Sequence, residues 1–91
     1  MATFSSRDAD AAMKNLNAEI HQSDHVVGIV RITENHRIRL YHSNKRGELP
    51  SFVFNKWKQD LRLDNDEMRR LIRGDLKGDA VLELIRSRLG L

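Results

Sequence analysis

The clearest helical pattern of this chain lies in the stretch Trp57-Lys-Gln-Asp-Leu-Arg-Leu-Asp-Asn-Asp-Glu-Met-Arg-Arg-Leu-Ile-Arg-Gly74. Asp64 followed by Glu67 three residues later resembles a capping box, which marks the start of a helix. Apolar residues then recur at helical spacing, namely Met68, Leu71 and Ile72. Gly74 is a residue type that commonly ends a helix. The stretch therefore predicts a short helix from about Asn65 to Arg73.

Two further helices are expected on either side of this one. Before it, Pro50 suits a first helical turn, and an apolar face follows at Val53, Phe54, Trp57 and Leu61. The alternation of Phe52 and Phe54 leaves open whether residues 49–54 form a third strand instead. After it, Asp79 is expected to cap a final helix that Gly90 ends. Residues 48–91 thus predict three short helices with tight joints.

Residues 54–91 resemble the helix-turn-helix unit of lambda-repressor and Cro-type proteins. Leu61 and Leu63 flank the turn, while Met68 and Leu71 match the inward positions of the second helix. Lys58 stands where the family usually has a small alanine, and Arg62 replaces the customary turn glycine. The resemblance implies that the second helix reads DNA. Its exposed candidates for base or phosphate contact are Asn65, Asp66, Arg69, Arg70 and Arg73.

The first half of the chain predicts one helix and a β-hairpin. Ser5 or Ser6 can cap a helix that continues to about Gln22, because apolar residues recur on one face. These residues are Ala9, Met13, Leu16 and Ile20. Two runs rich in β-branched residues follow, at residues 26–32 and 37–42, and they are expected to pair as antiparallel strands.

The register of this hairpin can be argued from its faces. Pairing Ile32 with Ile38 and Val30 with Leu40 gathers the apolar side chains on one side. That pairing needs a loop with an odd number of residues, most simply Glu34-Asn35-His36, in which Asn35 tolerates the left-handed conformation. The other side then carries Arg31, Arg37, Arg39 and Tyr41. It is either a nucleic-acid-binding ribbon or the solvated face of a two-stranded sheet.

We therefore predict an α+β fold with the order α-β-β-α-α-α. The 91 residues are expected to form a single domain with a small core. Within it, residues 1–47 supply a helix and a hairpin, and residues 48–91 supply a helix-turn-helix-like half.

Positive charge is concentrated in the middle of the chain. From residue 36 to residue 62, seven lysines and arginines face two acidic residues, a local net charge of +5. Such an excess attracts phosphate backbones. The candidate nucleic-acid-binding residues are five of the seven basic residues of this region, together with four residues of the helix from about Asn65 to Arg73. They are Arg37, Arg39, Lys45, Arg46, Lys56, Asn65, Arg69, Arg70 and Arg73.

Other functional classes are less well supported by the residues present. The chain contains no cysteine, which excludes disulfides, thiolate metal sites and a cysteine nucleophile. The four histidines match no metal-ligand motif, and no catalytic or cofactor-binding residue is assigned. A ribonuclease using Arg39, Tyr41 and His42 is conceivable, but in the hairpin His42 points away from the other two. We therefore expect a protein that is not an enzyme.

The expected function is nucleic-acid binding, to DNA or RNA, with a transcriptional regulator as one form of it. The alternative is a protein-interaction module, such as an inhibitor, an adaptor or a phage or plasmid accessory protein, that binds through the helical half or the hairpin edge. A homodimer would suit either role. No apolar run approaches the roughly 20 residues that cross a bilayer, so no membrane partner is expected, and the cytoplasm is the expected compartment.

Overall fold

In the described residues, 4–43 and 47–91, a computed structural model shows four helices and a three-stranded antiparallel sheet. In chain order the elements are α1 (Ser6–Asn15), β1 (Glu19–Gln22), β2 (His25–Thr33), β3 (His36–Ser43), α2 (Ser51–Leu61), α3 (Asn65–Arg73) and α4 (Gly78–Leu89). The α+β class is confirmed. The predicted two-stranded hairpin is wrong in detail, because β1 adds a third strand beside β2.

Helix α1 begins as expected but ends earlier than its apolar spacing suggests. Ser5 caps it in a capping box with Asp8. Its end is a Schellman motif, in which Asn17 adopts a left-handed φ of 57° and the Ala18 N–H donates to the Met13 carbonyl at 3.0 Å. The predicted continuation to Gln22 is therefore wrong. Ile20 lies four residues after Leu16, as in a helix, yet it belongs to β1.

The strands run in the order β1-β2-β3, and the β2–β3 register differs from the prediction by two residues. Val30 lies opposite Ile38, and Gly28 lies opposite Leu40. The turn contains only two residues between Thr33 and its partner His36, and the ladder is irregular around Ile32. Because the shift is an even number of residues, the predicted buried and exposed faces are both retained.

The turn itself also differs from the predicted three-residue loop. His36 belongs to β3. Among the residues described outside glycine, positive φ angles occur at Asn17 and Arg62, so Asn35 is not left-handed. Its N–H donates to the Thr33 hydroxyl at 3.3 Å instead. A side-chain hydrogen bond thus stabilises a turn that we expected to depend on backbone conformation.

One face of the sheet is covered by helices and contributes to the core. Met13 of α1 packs directly over Gly28, where an added Cβ would lie 2.8 Å from the Met13 sulfur. Phe4 is buried and meets the rings of Phe54 and Trp57 edge-on, each at 5.4 Å between centroids. A single hydrophobic cluster runs from Phe4 to Ile85. The two sequence halves therefore share one core.

The helices of the second half largely follow the prediction. Pro50 precedes the first turn of α2, so Phe52 and Phe54 are helical and do not form a strand. Helix α3 has the expected capping box and ends at Gly74. Helix α4 begins at Gly78 after Lys77, so the predicted cap Asp79 lies in its first turn, where a carboxylate is favoured by the helix dipole.

Arg88, near the end of α4, connects three helices through one side chain. It donates to both carboxylate oxygens of Glu67 on α3, with Nη2 at 2.7 Å from Oε2, and to the Arg62 carbonyl at the end of α2 at 2.9 Å. The hydrogen bond from the Arg88 guanidinium is the main cause that lowers the pKa of Glu67 below its ordinary value. Burial acts in the opposite direction and is the weaker effect. The hydrogen bonds of Arg88 thus connect α4 to the turn between α2 and α3.

Candidate nucleic-acid interface

The sheet has a second face, opposite the core, and two of the predicted site residues, Arg37 and Arg39, lie on it. Side chains alternate along β2 and β3, so the residues next to the buried ones project outward. On β2 these are Val27 and Ile29, which are half-buried, and Arg31, which is exposed. On β3 they are Arg37, Arg39 and Tyr41, all exposed. This face combines an aliphatic centre with basic and aromatic side chains.

Three arginines on this face form what we call the arginine cluster: Arg31, Arg37 and Arg39. Arg31 is the direct cross-strand partner of Arg37, and Arg39 is opposite Ile29, one position further along the same face. Within the described residues, none of the three has a hydrogen-bond or ion-pair partner. Like charges directly opposite one another destabilise a sheet. The cluster therefore carries positive charge that an anion could neutralise.

A shallow cleft of about 300 Å³ lies beside the cluster, between Arg31, Arg37 and the start of β1. Asn17 and Glu19 complete its wall. Glu19 lies 3.5 Å from His21 Nε2 on its own strand, and no ion pair joins it to an arginine of the cluster in the described part of the chain. The cleft is thus open to an incoming anion, with one carboxylate at its border.

Beside β3, on the side away from β2, lies a groove of about 270 Å³ that the sequence did not reveal. Helix α2 forms its other wall, and the groove is lined by Arg39, Tyr41, Phe52, Lys56 and Trp57 among others. Lys56 is exposed and lies 3.6 Å from Asp60 on its own helix. The sequence feature that could have indicated the groove is Phe52, a large aromatic residue that does not belong to the buried face of its helix.

The predicted residues of α3 belong to a different surface. Helix α3 packs chiefly against α1, which covers the opposite face of the sheet from the arginine cluster. Arg70 pairs with Asp66 at 2.9 Å, and Arg73 pairs with Asp75 at 3.2 Å. Asn65 accepts a hydrogen bond from Lys58 at 2.9 Å. Most of the polar groups of α3 are therefore already partnered.

Arg69 is the exception on α3, since it is exposed and has no partner in the described parts of the chain. The structure thus divides the predicted residues into two groups. Arg37 and Arg39 lie on the outer sheet face, with Lys56 of α2 across the groove beside β3, and Asn65, Arg69, Arg70 and Arg73 lie on α3. Lys45 and Arg46 fall outside the described residues.

Comparison with family models, curated proteins and solved structures found no match. The interpretation of the site therefore depends on its own geometry.

Of the four histidines, His42 alone is buried. His42 is buried on the core face, where its Nδ1 lies 2.7 Å from the Ser43 carbonyl and its Nε2 lies 3.4 Å from Asp10 Oδ1. Arg39 and Tyr41 project from the other face, as expected. Residues 4–43 and 47–91 contain no group of three or more side chains that could hold a metal ion. Over the same residues, no helix has the length and apolar character that a bilayer crossing requires.

Proposed function

We propose that this protein binds nucleic acid, DNA or RNA, without catalysing a reaction, and that the arginine cluster is its main contact surface. The observation that carries this proposal is the direct opposition of Arg31 and Arg37, with Arg39 beside them and no acidic partner within the described residues. Phosphate groups lying across the two strands would bridge these guanidinium groups and relieve their repulsion.

The surroundings of the cluster support this choice over α3. Arginine binds phosphate through paired N–H donors, and three arginines without partners in the described residues project from one face of the sheet. On α3, two of the three candidate arginines are neutralised by neighbouring aspartates. The helix-turn-helix resemblance nevertheless provides a second candidate surface for the same function, centred on Arg69. Charge reversal can separate the two.

The first experiment measures binding to labelled pools of single-stranded and double-stranded DNA and RNA by fluorescence anisotropy. If the cluster makes three phosphate contacts, raising the salt from about 50 to about 200 mM should weaken binding roughly 20- to 40-fold through counterion release. Absence of salt-dependent binding to every pool, at micromolar protein and about 50 mM salt, would refute the proposal.

The second experiment locates the surface with two variants of equal charge change. We expect Arg37→Glu with Arg39→Glu to weaken binding more than tenfold, and Arg69→Glu with Arg70→Glu to weaken it less than threefold (roughly, for direct contacts as against distant charges). The reverse order would move the contact surface to α3. Both variants change exposed residues, and circular dichroism checks that each still folds.

A protein partner is the second candidate function, and the observation that favours it is the edge of β1. This strand lies at the end of the described sheet, and all four of its residues are exposed. An open edge can pair with a strand of another chain, including a second copy of this one. Binding of that kind depends on backbone hydrogen bonds, so it should resist salt and survive charge reversal of the arginine cluster.

A further inference from the structure

The groove between β3 and α2 presents two aromatic side chains to solvent. Tyr41 is 51% exposed and Phe52 is 68% exposed. Other aromatic residues nearby are buried together, namely Phe4, Phe54 and Trp57, with Phe54 partly so. Phe52 is therefore left out of the aromatic packing that its own helix takes part in.

The floor of the groove is held in place by packing and by one hydrogen bond. Trp57 is 2% exposed, and its Nε1 donates to the Tyr41 carbonyl at 3.3 Å, joining α2 to the outer edge of β3. The two aromatic walls thus stand on elements that are linked to each other. A site of this kind is formed before any ligand binds.

The groove is continuous with the arginine cluster through Arg39, which belongs to both. Tyr41 follows Arg39 by two residues on the same face of β3, a distance of about 7 Å along the strand. A second cation, Lys56, lines the groove from α2. Asp60, which pairs with Lys56, also lines the groove, so the unpaired positive charge that a ligand would meet there is that of Arg39.

We propose that this groove receives an unpaired base of a single-stranded nucleic acid, stacked on Tyr41 or Phe52, while the arginine cluster holds the adjoining backbone. The inference rests on the proposed function and makes it more specific. Flat aromatic rings beside basic side chains are the usual means of binding single strands, because every base has a face that can stack. The volume of about 270 Å³ lies at the lower limit for small-ligand sites, which agrees with a single base.

Paired bases in a duplex are already stacked and cannot enter the groove without being extruded. The protein should therefore prefer single strands to duplexes of the same sequence. The arginine cluster alone would bind both forms, since phosphates are present in each. The aromatic groove is thus the source of the preference, and this separates its contribution from that of the cluster.

The test uses a set of short single-stranded oligonucleotides, each with 2-aminopurine at a different position, and the matching duplexes. Stacking quenches the fluorescence of this base analogue, so we expect quenching on binding at one or more positions. Tyr41→Ala and Phe52→Ala should together remove the quenching and weaken single-strand binding roughly tenfold, with duplex binding unchanged. Tyr41→Phe and Phe52→Tyr, which keep a ring at each position, should preserve both properties.

The outcomes distinguish this inference from the proposed function. If the alanine variants bind and quench like the unchanged protein while the Arg37→Glu, Arg39→Glu variant loses binding, the groove proposal fails and the cluster proposal stands. If no nucleic acid binds, both fail. If the alanine variants lose a protein partner but keep their affinity for single strands, the groove is a protein-binding site and the inference is overturned. Circular dichroism checks that the variants remain folded.

Discussion

Arg31 and Arg37 lie directly opposite one another on β2 and β3, on the face of the sheet away from the core. Like charges in that position reduce stability, whereas opposite charges there contribute favourably by roughly 0.2–1 kcal/mol. The pair therefore does not stabilise the fold, which agrees with the proposed role of the arginine cluster in binding an anion.

This relationship predicts a substitution that improves stability and harms binding. Arg37→Glu places a carboxylate opposite Arg31, and the free energy of unfolding should rise by about 0.5 kcal/mol. Affinity for nucleic acid should fall at least fivefold, an estimate of about 1 kcal/mol for the lost phosphate contact. Urea unfolding and anisotropy measure the two quantities. Arg39→Glu is the control, because Arg39 faces Ile29 and should weaken binding with a smaller gain in stability.

A second prediction concerns the close approach of α1 to the sheet. Gly28→Ala would place a Cβ 2.8 Å from the sulfur of Met13, a fully buried side chain. Overpacking of this kind should lower the free energy of unfolding by about 1–3 kcal/mol. Urea denaturation of the variant provides the measurement.

The same contact can be verified with a double substitution. Met13→Ala alone should cost about 2–5 kcal/mol by leaving a cavity. In the Gly28→Ala background the cost should be smaller, since the new methyl group occupies part of the space. Strictly additive costs would show that Gly28 and Met13 do not constrain each other.

The ion pair between Glu67 and Arg88 predicts a pH dependence of stability. The pKa of Glu67 is lowered, chiefly by its hydrogen bond with Arg88. A carboxylate with a lowered pKa in the folded state contributes stability that is present above its unfolded pKa and is lost as the pH falls through the folded pKa. Unfolding by urea should therefore become easier from about pH 5 downward.

Substitution of Glu67 by glutamine isolates this contribution. The amide oxygen can still accept from the Asp64 N–H, so the capping box is preserved while the charge is lost. The variant should be less stable than the unchanged protein at neutral pH, and the difference should shrink towards about pH 3. Glu83→Gln, at an exposed position of α4, is the matched control and should show no such convergence.

The two residues with left-handed backbone conformation at helix ends predict a change in stability on substitution by glycine. Arg62 has φ 59° and Asn17 has φ 57°, both at positions where glycine is the usual residue. Arg62→Gly should raise the stability by up to about 1 kcal/mol, because glycine adopts this conformation without steric cost. Asn17→Gly should gain less, since asparagine already tolerates it. Thermal unfolding compares the two, and an equal or larger gain at Asn17 would contradict the explanation.

Sequence patterns predicted the helical half of the fold well because its signals are local. The capping residues Asp64 and Glu67 and the terminal glycines Gly74 and Gly90 each act within one turn of the chain. The first half was harder, because Ile20 satisfies both a helical and a strand pattern, and the choice depends on pairing with β2. Local propensity cannot report such a tertiary preference.

The candidate site was predictable only in part for the same reason. Alternation along β3 was enough to place Arg37 and Arg39 together on one face. It could not show that α2 lies beside β3, so the groove formed by Tyr41 and Phe52 was missed. Charge alone also could not show that Arg70 is paired, with Asp66 one helical turn away, whereas Arg69 has no partner in the described residues.

The position of Phe4 has a consequence for how the chain reaches this structure. Phe4 meets Phe54 and Trp57, and its carbonyl accepts from the Leu49 N–H at 2.7 Å. Those partners lie 45 to 53 residues later in the sequence, so closing these contacts costs the entropy of a long loop. During synthesis, the ring of Phe4 cannot be buried by these partners until α2 has been made. Burial of Phe4 is thus a non-local contact, of the kind that slows folding.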